Sequence, residues 1–190
     1  MRLAAERARF YERLAMEDTL TGLPNRRAFE QAAARALSAR PLRTGVLMID
    51  VDRFKHINDT WSHETGDQAL QAVAAMLRAA VGADGTAARL AGDEFVVLVE
   101  AADARALDVV ARRVRAAGAA VPLRAGGSDA AQVITLSISV GAAHAAPGEA
   151  LAALLRRGDL AMYEDKAARR RTTPAAAAPT TALHAPLDGA

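Results

Sequence analysis

The chain has no cysteine, and that one absence removes disulfides, thiolate metal centres and cysteine nucleophiles. Aromatic residues are scarce, at 4% of 190 residues, so the core must be built from the Leu, Val, Ile and Ala that dominate its 52% hydrophobic content. No apolar run is long enough to span a bilayer, and residues 1–7 lack the core of a signal peptide. The expectation is a cytoplasmic protein with no membrane segment. A net charge of only +2 gives no electrostatic footprint for nucleic acid. Lysine is nearly absent too: Lys55 and Lys166 stand against 22 arginines. An ammonium is a compact point charge suited to a phosphate oxygen, whereas a guanidinium is a planar fork. Two lysines kept in such a composition therefore mark two positions of interest.

Periodicity divides the chain into three parts. Residues 1–16 place Leu3, Phe10 and Leu14 at roughly heptad spacing and read as a helix, too short for a coiled coil alone but able to dock on the domain or pair with a second copy. Residues 17–171 carry alternating strand and helix patterns and read as one domain. Residues 172–190 are an Ala/Pro/Thr-rich stretch without periodicity, read as a disordered tail.

Within the domain, the turn-rich Asp18–Asn25 segment precedes a helix from Asn25 to Ala39, with Asn25 as its N-cap. Gly45–Val51 is a near-continuous apolar run, the pattern of a central strand buried on both faces. A helix is expected from about Asp67, then a hairpin over 87–99 and a helix from Asp103 to Ala117. A strand from Val133 to Val140 and a last helix from Glu149 to about Arg170, broken at Gly158, complete the pattern. The order β-α-β-β-α-β predicts an α+β fold with a ferredoxin-like, palm-type core. Its central, mainly antiparallel sheet is flanked by helices.

The most informative residues are Ala91-Gly92-Asp93-Glu94-Phe95, between the apolar runs 87–90 and 95–99. Gly92 can supply the positive φ of a tight hairpin turn. The adjacent carboxylates of Asp93 and Glu94 repel each other, a cost that a cation would relieve. Strand one ends in Asp50-Val51-Asp52, with both carboxylates on one face by the period of two. In the β-α-β-β order that strand end lies beside the hairpin tip, so Asp50, Asp52, Asp93 and Glu94 are expected to crowd together. Hard oxygen ligands without His or Cys select Mg²⁺ or Mn²⁺, and Mg²⁺ commonly completes its shell with substrate phosphates. Arg53–Asp59 follows directly, and its backbone amides with Lys55 form a candidate triphosphate cradle. Asn58 and Asp67 are candidate readers of a guanine edge; a turn residue and a helix N-cap are the structural alternatives.

These residues resemble the GGDEF family, the diguanylate cyclases. The matching segments are 18–26, 50–59, 63–67, 89–95, 135–142 and 159–163, continuing to Lys166 and Arg170, in the family's order and spacing. The resemblance implies that two GTP-loaded subunits meet as a homodimer, and that each 3′-hydroxyl attacks the other's α-phosphate to give cyclic di-GMP and two pyrophosphates. It implies that Asp50, the Val51 carbonyl and Asp93 hold two metal ions per site. Asp93, Glu94 and Lys55 are the implied catalytic residues. Phe54, Lys55, Asn58, Asp67, Gly92, Lys166 and Arg170 are the implied contacts to GTP. The 18–26 motif is expected to be structural, with Asp18 and Arg26 free to pair. Ala91 replaces the first glycine of the signature, and Ser62 replaces a glycine before His63. The family's inhibitory Arg-x-x-Asp falls on Gly82-Ala83-Asp84-Gly85, where neither residue is present, so no inhibitory site is expected. A catalytically silent GTP- or cyclic-dinucleotide-binding module is the alternative to an active cyclase. A template-dependent polymerase on the same type of sheet lacks a basic template surface.

Overall fold

The computed structural model describes residues 15–125 and 132–172, with the side chains of 170–172 outside that description. The expected N-terminal helix lies outside it except for Ala15 and Met16, which are helical, and the expected tail lies outside it beyond Thr172. Five helices and six strands are described: α1 (Arg26–Ala39), β1 (Thr44–Val51), α2 (Phe54–Thr60), α3 (His63–Val81), β2 (Gly85–Ala91), β3 (Glu94–Glu100), α4 (Ala104–Gly118), β4 (Val121–Ala125), β5 (Gln132–Leu136), β6 (Ile138–His144) and α5 (Leu151–Thr172). The main sheet has the order β2-β3-β1-β6 and every neighbouring pair is antiparallel. This is the ferredoxin-like core expected from the element order.

Helices cover both faces of the sheet, and the period of two sorts the strand residues between them. Leu47, Ile49 and Val51 of β1 join Val97, Val99 and Ile138 beneath α3 and α4, which contribute Val73, Leu77, Leu107 and Val114. Val46, Met48 and Val96 face the other way, toward Phe29 and Ala33 of α1 and Leu154 of α5. Burial on both faces explains why β1 reads as continuously apolar rather than alternating. Asp50 has the parity of Val46 and Met48, which aims it at the α5 side.

The predicted last helix runs unbroken through Gly158. A Cβ at Gly158 would meet Met48 Cγ at 2.7 Å, and one at Gly141 of β6 would meet the Met162 nitrogen at 2.1 Å and the Gly158 oxygen at 2.2 Å. The two glycines therefore let α5 lie backbone-close on β6 and β1. That approach carries Lys166 to the end of β1.

Three further expectations are corrected. The predicted strand 133–140 is two strands parted at Ser137, because Asp52 takes over the chain there: its N–H donates to the Ser137 carbonyl at 2.9 Å. β5 pairs with β4, an alternating strand containing Pro122 that is absent from the element order expected from the sequence. Finally, the helix expected from Asp67 starts at His63, and the 53–59 segment forms the short helix α2. A left-handed Arg53 (φ 58°) turns the chain sharply from strand into α2.

Ser62 is the N-cap of α3, its Oγ accepting the Thr65 N–H at 3.2 Å. Its backbone sits at φ 152°, ψ 166°, a region that glycine enters freely and other residues enter at a cost of about 1–3 kcal/mol. Replacing a serine cap by glycine costs only a few tenths of a kcal/mol. Ser62→Gly is therefore expected to raise stability by roughly 1 kcal/mol, read as a higher urea midpoint with an unchanged slope. A lower midpoint would show that the cap outweighs the strain.

Candidate active site

The hairpin tip is a two-residue turn. Ala91 pairs with Glu94, leaving Gly92 and Asp93 in the loop, and Gly92 adopts φ +47°. Ala91 is not among the positive-φ residues, so its methyl group meets no backbone penalty and the departure from glycine is tolerated. The tip is stitched to β1, where Asp50 is the register partner of Glu94 and the Val51 N–H donates to the Asp93 carbonyl at 3.3 Å. Directly opposed residues of an antiparallel pair share a face, and like charges placed so are destabilising.

The structure assigns each acidic group a different environment. Asp50 is mostly buried and receives the Lys166 ammonium from α5, Nζ to Oδ1 at 2.5 Å. Burial pushes the Asp50 carboxyl above its ordinary value; Lys166 opposes that rise, and the negative charges of Asp93 and Asp52 add to it. Asp52, expected in the cluster, is held instead by two hydroxyls, the Ser137 Oγ donating at 2.7 Å and the Ser139 Oγ at 2.6 Å. Among the described residues no three His, Asp or Glu side chains converge to hold a metal by themselves. Asp50 and Asp93 still offer hard oxygens at one place, the donor set of a divalent ion that draws its remaining ligands from substrate and water.

Asn58 and Gly66 make the second part of the site. Asn58 Oδ1 is buried without a hydrogen-bond partner. It lies where a Cβ on Gly66 would be, 1.9 Å from that position, and Phe54 Cζ is 3.4 Å from the same point. Gly66 is thus required because α3 passes so close to the Asn58 amide. The alternative of Asp67 as N-cap is excluded, since Ser62 caps α3 and Asp67 is exposed inside the helix. Lys55 is exposed on α2. Arg170 belongs to the last turns of α5, with its side chain outside the described residues. Beyond Lys166 a cavity of about 500 Å³ opens between α2, β5 and α5, with Arg53, His56 and Arg169 on its wall.

Sequence reading missed the role of Arg89. Its Nε and Nη2 donate to the Gly92 carbonyl at 2.9 and 2.8 Å, while Nη1 donates to both oxygens of Asp18 at 3.0 and 3.2 Å. Asp18 therefore pairs with Arg89 and not with Arg26, which faces Glu30 on its own helix. The signal was present in the sequence, because Arg89 is the basic residue of the signature segment.

Comparison with known proteins agrees with this arrangement. The family described as "Diguanylate cyclase, GGDEF domain" matches residues 15–172. The chain is 36% identical over 159 residues to the diguanylate cyclase DgcP of Pseudomonas aeruginosa, covering 82% of this chain and 23% of that protein. It is 34% identical over 166 residues to the cyclic di-GMP phosphodiesterase PdeR of Escherichia coli, covering 87% of this chain and 24% of that protein. It thus spans about a quarter of the length of either relative. Among solved structures, the coiled coil and GGDEF domain of DgcB from Caulobacter crescentus, in complex with c-di-GMP, superposes with a TM-score of 0.80 at 27% identity, over 88% of both chains. The chain belongs to the diguanylate cyclase GGDEF-domain family.

The Asp18 carboxyl has a testable consequence. Burial pushes it up, but hydrogen bonds from Thr21 and Arg89 outweigh burial and hold it below its ordinary value of 3.8. A lowered folded pKa stabilises the fold fully above the unfolded value and is lost as pH falls through the folded one. Asp18→Asn is expected to cost about 1–3 kcal/mol at neutral pH, with the gap to the unaltered protein closing as pH falls below the ordinary carboxylate value and through the lowered folded one. Urea unfolding across that range measures it; a gap independent of pH would rule out the ionic contribution.

Proposed function

We propose that this domain is an active diguanylate cyclase that condenses two GTP into cyclic di-GMP and two pyrophosphates. The observation that carries the reading is the Asn58 acceptor. A buried amide oxygen without a donor costs about 1–3 kcal/mol, and a guanine N–H or exocyclic amine supplies the missing donor. Asp67, one residue beyond Gly66, is suited to accept from the other donors of the same base edge.

In this reading the 3′-hydroxyl of one bound GTP attacks the α-phosphorus of the GTP held by a second copy, and pyrophosphate leaves. Asp50, the Val51 carbonyl and Asp93 would hold two Mg²⁺ or Mn²⁺ ions, which supply charge neutralisation at phosphorus and acidify the hydroxyl. Glu94, opposite Asp50 and exposed, stands where it can take the hydroxyl proton directly or through water. Lys55, Lys166 and Arg170 contact the phosphates. Phe54 and Gly92 shape the substrate floor and the turn. Each copy holds one substrate, so the catalytic unit is a homodimer of GTP-loaded domains.

Incubation with GTP and Mg²⁺, with products resolved by chromatography, tests the proposal. Cyclic di-GMP should form at a rate that rises faster than linearly with protein concentration, and Asp93→Ala should reduce it to background. Binding of GTP without turnover would favour the silent binding module instead.

Product inhibition offers a separate check. Positions 82 and 85 are glycines, and a Cβ at Gly85 would strike the Leu98 carbonyl at 2.3 Å, so this backbone admits no side chain there. Cyclic di-GMP is expected not to inhibit through residues 82–85. Tight inhibition that disappears when those residues are exchanged would contradict this.

A further inference from the structure

Lys166 sits where the proposed function needs a metal ion to sit. Its Nζ is 2.5 Å from Asp50 Oδ1, the two side chains are 25% and 15% exposed, and this is the one hydrogen bond the structure gives to the Asp50 carboxylate among the described residues. An ammonium at that range neutralises the carboxylate and fills its coordination space. A divalent ion approaching the same oxygen would meet a positive charge a few ångströms away, in a place too sheltered for solvent to screen it fully.

We infer that Lys166 is a resident counter-cation that keeps metal off Asp50 until a polyphosphate draws the ammonium away. This rests on the reading of Asp50 as a metal ligand. The consequence is coupled loading, in which nucleotide and metal bind together and neither completes the site alone. Lys166 is thus a positioning residue with two alternative partners, a carboxylate in the empty site and a phosphate oxygen in the filled one. The geometry supports the exchange. Lys166 also lines the cavity beyond, whose wall carries Arg53, His56, Arg169 and the Asp52 carboxylate, the last already accepting from Ser137 and Ser139, so an ammonium leaving Asp50 stays beside a mainly basic wall suited to a polyanion. No bond is made or broken; the exchange conserves charge, since the metal takes over the neutralisation that Lys166 provided.

The decisive measurement is metal binding without nucleotide. Mn²⁺ is titrated into the full chain by electron paramagnetic resonance, with and without a non-hydrolysable GTP analogue. The unaltered chain should bind Mn²⁺ weakly alone and tightly with the analogue. Lys166→Met, which keeps the aliphatic stem and removes the charge, should bind Mn²⁺ alone at least about tenfold more tightly. That gain should vanish in the double variant carrying Asp50→Asn as well. Thermal melting checks that each variant is folded, and Lys166→Gln provides a second neutral replacement should the methionine variant fail to fold. If a folded Lys166 variant binds Mn²⁺ no more tightly than the unaltered chain, while the unaltered chain does bind it with the analogue, the gate is refuted and the metal assignment stands. If no Mn²⁺ binds even with the analogue, the metal assignment falls, and the gate with it.

Discussion

The structure is organised around one guanidinium. Arg89 donates to Asp18 with one nitrogen and to the Gly92 carbonyl with the other two, while its backbone N–H donates to the Pro24 carbonyl at 2.9 Å. The turn segment of residues 18–25, the edge strand and the hairpin tip therefore meet in a single side chain. A lysine could hold one of these partners, but only the fixed fork of arginine bridges a carboxylate and a carbonyl at once. At 13% exposure the Arg89 side chain is shielded enough for the ion pair to exceed a surface contact. Because Gly92 is clamped from behind, Asp93 is presented at the end of β1 by a rigid turn.

The acidic groups at the end of β1 illustrate how a fold distributes charge it needs for chemistry. Left together they would repel, and burial would add to the cost at Asp50. The structure keeps them by giving each a separate compensation. Ser137 and Ser139 donate to Asp52 and make it a structural anchor that bends the chain from β5 into β6, while its charge still acts on Asp50. Lys166 neutralises Asp50, and Glu94 is left to solvent. What remains uncompensated is the tip itself, which is the place where substrate and metal are proposed to bind. α5 reaches Asp50 only because Gly141 and Gly158 allow backbone contact between helix and sheet. Packing at those glycines is thus part of the site's electrostatics.

The fold was legible in the sequence where burial imposed a simple period. β1 reads as a buried central strand, α1 carries its Asn25 cap, and the Gly92 turn declares the hairpin. What escaped was governed by partners distant in sequence. Nothing local marks Ser137 as a break, because the break is caused by Asp52, 85 residues earlier. Nothing local makes Gly158 a packing glycine rather than a helix breaker, because Met48 and β6 decide it. Asp18 was recognisable as an ion-pair member, but its partner lies 71 residues away and a nearer arginine was the natural guess. The candidate site was legible as residue types, because hard oxygens, amide readers and two isolated lysines define a chemistry before they define a geometry. The present partner of each group was not, since a charged side chain takes whichever partner the folded surface offers.

That last point bears on why position 166 is a lysine in a chain that otherwise uses arginine almost throughout. A guanidinium beside Asp50 would bind it through two parallel hydrogen bonds and occupy both carboxylate oxygens. Releasing it would break both bonds together. An ammonium holds Oδ1 through a single contact and rotates its three protons toward a new acceptor without reorienting a plane. Partner exchange is therefore far cheaper for lysine than for arginine. Strong static attachment, as at Arg89, calls for the fork; a charge that must change partners during loading calls for the point.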